Sequence, residues 1–134
     1  MAATNRSAKA VLLIAERDRF MQEVLQRALG SEFRLEFVES GSEVASRARA
    51  NPPALIILEA LLPEVDGFQV CRRLKEDAAT AKIPVLFFTL LDAEDRARQV
   101  GADGFVKKPL RKRELLDRVR ELLNESMTSR GGAS

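Results

Sequence analysis

Three nearly unbroken apolar stretches, "AVLLIA" (10–15), "ALIILE" (54–59) and "IPVLFFT" (83–89), most constrain what this chain can fold into. Continuous runs of this length suit strands covered on both faces, as in a parallel sheet flanked by helices. "FRLEFV" (33–38) alternates instead, with Phe33, Leu35 and Phe37 on one face, which marks an edge strand. "GFVKK" (104–108) is short and forms the other edge.

Helical patterns fill the intervals. Residues 18–30 align Met21, Val24, Leu25, Ala28 and Leu29 on one stripe, with Gly30 as C-cap. Ser40 and Glu43 in "SGSE" form the pattern of a capping box for a helix near 41–50, which "NPP" stops. Residues 65–76 offer Phe68, Cys71 and Leu74 to a core. Residues 92–100 offer only the thin face of Ala93, Ala97 and Val100, so that helix is expected to be the least stable. Residues 111–123 present Leu115, Leu116, Val119, Leu122 and Leu123. Strand and helix alternate five times. The expected fold is therefore α/β: a single five-stranded parallel sheet, strand order 2-1-3-4-5, with helices on both faces. A flexible segment is expected at 1–8, one domain at 9–123, and a flexible tail or linker stub at 124–134.

Composition narrows the function. At 134 residues and 46% apolar, one domain can bury roughly two-thirds of its unfolded surface. Basic and acidic residues, 22 and 20, are interleaved, and there is no Trp or Tyr, so neither a nucleic-acid partner nor a stacking platform is indicated. With no His and with Cys71 alone, zinc sites, disulfides and Ser/His or Cys/His catalysis are disfavoured. A lone cysteine fits a reducing, cytoplasmic setting. No apolar stretch is long enough to span a membrane.

In the order 2-1-3-4-5 a crevice opens at the carboxyl ends of strands 1 and 3. The residues arriving at the carboxyl ends of strands 1, 3, 4 and 5 are Glu16, Glu59, Thr89 and Lys108. Two carboxylates, a hydroxyl and an ammonium, far apart in sequence, are thus expected in one cleft.

These residues resemble a known family. "LPEVDGFQVCRRLK", "IPVLFFT" and "GADGFVKKPL", at their intervals, look like the receiver domain of bacterial response regulators, the CheY-like fold, over about residues 9–123. In that family an acidic pair after strand 1 holds Mg²⁺, and an Asp ending strand 3 accepts phosphate from a histidine kinase. The resemblance makes Thr89 and Lys108 the phosphate-contact residues, Phe105 the switch aromatic, and Pro109 the residue after a cis peptide. It also exposes departures. The acidic pair is reduced to Ala15 and Glu16, Glu59 replaces the phosphoacceptor Asp, and Leu90 follows Thr89 where the family has a small residue. The chain is similar to atypical, or pseudo-, receivers.

The departures have physical consequences. Glu16 and Glu59 facing Lys108 leave the site near −1, so the need for a cation is weak. No cofactor is expected beyond weak Mg²⁺ on Glu16 and Glu59. Glu reaches about 1.5 Å further than Asp. In-line phosphoryl transfer depends on positioning, so Glu59 is expected to accept phosphate poorly and instead to carry negative charge to Lys108 and Thr89. A strand-end carboxylate is by default only solvated. Other readings are phosphorylation of Glu59 itself or of Asp66 in the adjacent loop, or a small flavodoxin-like enzyme, which lacks the Gly-rich loop after strand 1. The expected function is non-catalytic signalling through protein partners or self-association. The expected face combines helix 4, strand 5 and helix 5, with Arg96, Lys107, Arg111 and Arg113.

Overall fold

The computed structural model describes residues 8–132. Five strands, β1 (Val11–Ala15), β2 (Arg34–Val38), β3 (Leu55–Leu58), β4 (Val85–Thr89) and β5 (Gly104–Lys107), form one parallel sheet in the order β2-β1-β3-β4-β5. The helices are α1 (Arg19–Leu29), α2 (Val44–Ala50, entered through a 3₁₀ turn at Gly41–Glu43), α3 (Gly67–Glu76), α4 (Glu94–Gln99) and α5 (Lys112–Gly132).

The period of two along each strand divides the core into two layers. Leu12, Ile14, Leu55, Ile57, Leu86 and Phe88 face α1 and α5, meeting Leu25, Leu29, Leu115, Val119 and Leu122. Leu13, Ala15, Ile56, Leu58, Val85 and Phe87 face α2, α3 and α4, meeting Val44, Phe68, Cys71, Leu74, Ala97 and Val100. The central strands are buried on both sides, which is why their sequences run apolar without alternation. In the edge strand β2, Leu35 and Phe37 are half-buried against the α1/α5 layer.

Local chemistry sets the helix starts. Asp18 caps α1 by accepting from the Phe20 amide at 2.9 Å, and Asp66 caps α3 by accepting from Gln69 at 3.0 Å. Two local expectations change. Ser40 makes no backbone cap: its hydroxyl donates to the Glu43 carboxylate at 2.8 Å, and the helix begins as a 3₁₀ turn. α5 continues past 123 to Gly132, so the backbone of most of the stretch expected to be a tail is helical. The segment expected to be flexible at 1–8 lies, apart from Ala8, outside the described residues. Among those residues no helix is long and apolar enough to cross a membrane.

Two glycines permit close approaches at the carboxyl end of the sheet. A Cβ on Gly41 would lie 1.8 Å from the Val65 carbonyl oxygen, and one on Gly67 would lie 2.4 Å from that of Glu59. The β3–α3 loop is thereby packed on the β2–α2 turn, with the Gly41 amide donating to Pro63 at 3.2 Å. Within this loop Glu64 adopts φ 72°, and its carboxylate accepts from Ser42.

Candidate functional site

Glu16, Glu59 and Lys108 each stand one residue beyond a strand, and Thr89 ends one. Their backbones continue the sheet. The Glu16 amide donates to Val38 at 3.0 Å, Glu59 to Ala15 at 3.1 Å, and Lys108 to Thr89 at 2.8 Å. The four side chains therefore arrive on strand ends rather than on free loops.

They meet in one network. Lys108 Nζ lies 2.8 Å from Glu16 Oε1 and 2.8 Å from Glu59 Oε1. Thr89 Oγ1 donates to Glu59 Oε2 at 2.5 Å, and the Leu61 amide donates to the same oxygen at 2.9 Å. Glu16 Oε2 accepts from the Asp18 amide at 3.1 Å. The three charged side chains are at most 9% exposed, and no buried side-chain polar atom among the described residues lacks a partner. One ammonium faces two carboxylates, so the network carries a net charge of −1.

Burial opposes the charge on Lys108. Its hydrogen bonds to Glu16 and Glu59, and the charges of both, outweigh that cost and hold its pKa above the ordinary lysine value. The Phe88 ring supports the ammonium from below at 5.5 Å.

The arrangement leaves little room for metal chemistry. All four carboxylate oxygens of Glu16 and Glu59 already accept hydrogen bonds, and Ala15, buried in the core, contributes no ligand. Among the described residues no three acidic, Cys or His side chains group to hold a metal ion. The residues present do not fit Mg²⁺, which needs near-octahedral oxygen coordination. Glu59 Oε2 accepts from both Thr89 and the Leu61 amide, and its Oε1 accepts from Lys108. Asp66 is occupied as the cap of α3.

The other candidates lie apart from the network. Phe105 is half-buried and packs on the α2–α4 layer, in register with Phe87. The peptide between Lys108 and Pro109 is cis. Arg96 places its guanidinium 4.1 Å above the Phe68 ring, which stacks on Phe87, so it anchors α4. Lys107, Arg111 and Arg113 are exposed. Sequence reasoning misses Gln22, whose side-chain amide donates to the Glu16 carbonyl at 2.6 Å, and the Leu61 amide. No sequence signal marks either, since one is a helix-surface glutamine and the other a backbone group.

With that geometry in hand, comparison with known proteins is specific. The family model for "Response regulator receiver domain" matches residues 12–120. The chain is 30% identical over 124 residues to the response regulator MprA of Mycobacterium sp. (strain KMS), covering 90% of this chain and 53% of MprA. It spans 32% to 53% of the length of the first curated relatives it matches. A crystal structure of a putative response regulator from Chloroflexus aurantiacus superposes with TM-score 0.83 at 29% identity, covering 87% of this chain and 99% of that one. The receiver domain of the sensor histidine kinase PA1611 from Pseudomonas aeruginosa, solved with magnesium in its active-site cleft, superposes with TM-score 0.81 at 21% identity. It covers 87% of this chain and 99% of that one, a likeness of fold.

Proposed function

This chain belongs to the response regulator receiver domain family, and from that premise we propose that it is an atypical receiver of two-component-type signalling in which Glu59 takes the place of phosphate. One observation carries the reading. The Glu59 carboxylate already accepts from Lys108, Thr89 and the Leu61 amide, the donors that a phosphoryl group on this strand end would need. The mimic is partial, because a carboxylate carries one charge and a phosphoryl group about −1.5 to −2.

The domain then works without Mg²⁺ and without catalysis of its own, as a protein-interaction module in the cytoplasm. Partners or a second copy use the α4–β5–α5 side. Arg96 and Arg98 are engaged with Phe68 and Glu94, whereas Lys107, Arg111, Lys112 and Arg113 are exposed and form no ion pair among the described residues.

Incubation with acetyl phosphate and Mg²⁺, followed by intact mass measurement, tests the reading. The expected result is an unmodified protein. A phosphoprotein whose modification disappears in Glu59→Gln overturns it.

A further inference from the structure

α4 is too short to hold itself. It has six residues, and isolated helices shorter than about 12 residues are marginal in water. Its N-cap, Ala93, makes no side-chain cap hydrogen bond, and Ala97 is the one buried residue of the helix. The Glu94–Arg98 pair within it is exposed and adds little. Its place must come from its neighbours.

α3 supplies that hold along one stripe. Phe68, Cys71 and Lys75 stand at i, i+3 and i+7, so they share one face of the helix. They meet α4 and the turn after it at successive points. The Arg96 guanidinium lies 4.1 Å from the centre of the Phe68 ring. The Cys71 thiol donates to the Val100 carbonyl at 3.5 Å. The Lys75 stem packs on Gly101, where an added Cβ would lie 2.9 Å from its Cγ, and its ammonium reaches Asp103 at 2.8 Å.

The first of these contacts differs from the others. Cys71 is fully buried and Phe68 nearly so, whereas Arg96 is exposed and reaches the ring from the surface. Arg96 forms no ion pair among the described residues. The ring face is what fixes its guanidinium. The same ring stacks on Phe87 at 5.3 Å, and Phe87 is in register with Phe105 on β5. α3 in turn starts against Glu59, with the Gly67 amide donating to the Ala60 carbonyl at 2.8 Å.

We infer that Arg96 is a positioning residue of the partner face. Resting on Phe68, it holds α4 folded against α3. Its release lets α4 open locally while the sheet and the Glu59 network stay closed. The inference rests on the interaction-module reading for what the face does, and is independent of Glu59 replacing phosphate.

Amide hydrogen exchange of the full chain, followed by NMR, tests it. The Ala97 and Val100 amides, which donate to the Ala93 and Arg96 carbonyls, read the opening of α4. Arg96→Ala is expected to speed exchange there about fivefold, with no change at Ile57. Alanine is the better helix former, so without the clamp the same substitution would slow exchange. Arg96→Lys keeps the charge but not the planar stacking, and is expected to fall between. Phe68→Leu is expected to speed exchange at the same two amides beyond any change at Ile57. Arg96→Ala added to it should then do nothing more, because the two residues act through one contact. In Arg96→Ala the Phe105 and Lys107 resonances should move and that of Glu16 should stay. Exchange that Arg96→Ala leaves unchanged or slows, or effects of the two substitutions that add in full, overturns the inference. If Phe68→Leu does not fold, the two Arg96 variants decide alone. Acetyl phosphate separates the two proposals: a protein modified at Glu59 whose α4 exchange still depends on Arg96 removes the closed-cleft reading and keeps the clamp.

Discussion

Thr89 and Glu59, thirty positions apart, share a hydrogen bond of 2.5 Å between the hydroxyl and Oε2, beneath a surface that exposes neither side chain. The Leu91 amide approaches the same hydroxyl at 3.4 Å. Glu59 therefore fixes the end of β4 and, through it, the loop that leads into α4.

Lys108 is the sole cation of this network, and its removal exposes what it balances. Lys108→Met should destabilise the domain by about 3–5 kcal/mol, because two buried carboxylates lose their counter-charge. Thermal melts of the variant and the parent at pH 7 measure the loss. The folded pKa of Lys108 is raised, so its contribution is full below the ordinary value of 10.5 and is lost as pH rises through the folded value.

Restoring carboxylates should restore a metal site. Ala15→Asp combined with Glu59→Asp adds a ligand and draws the other back by about 1.5 Å, leaving oxygens that Lys108 cannot satisfy. The double variant should be less stable than the parent without metal. Its midpoint should rise on adding Mg²⁺, by an amount equivalent to about 2.7 kcal/mol at one hundred times Kd, while the parent's stays fixed. Differential scanning calorimetry with and without Mg²⁺ measures both.

Gly67 lets α3 start directly against the backbone of Glu59. A Cβ there meets the Glu59 carbonyl at 2.4 Å and Ala60 Cα at 2.8 Å, neither of which can swing aside as a side chain would. Gly67→Ala should cost about 1–3 kcal/mol in urea denaturation and shift the amide resonances of Glu59 and Leu61.

Cys71 should be chemically silent while the protein is folded. Burial pushes its thiol up to about 11, and its Sγ contacts the Val100 carbonyl at 3.5 Å within the core. Labelling by a thiol reagent at pH 7.5 should track global unfolding in urea. Rapid labelling of the native protein would contradict the packing described.

Much of this was legible because it depends on periodicity. Unbroken apolar runs identify the strands covered on both faces, and order 2-1-3-4-5 then brings Glu16, Glu59, Thr89 and Lys108 to one end. What periodicity does not encode was not legible. Arg96 reads as part of a basic contact face, yet its place over Phe68 depends on how two helices pack. Ser40 and Glu43 have capping-box spacing, but the 3₁₀ entry turns their side chains toward each other. The continuation of α5 to Gly132 runs against a Gly/Ser-rich composition.

The most direct test of the closed network is a backbone amide NMR titration with Mg²⁺ and then beryllofluoride. The account predicts unchanged resonances at Glu16, Glu59, Thr89 and Lys108 through both additions. Saturable shifts at those four residues, spreading to Phe105 and α4, would contradict it and show a cleft that still receives a phosphoryl group.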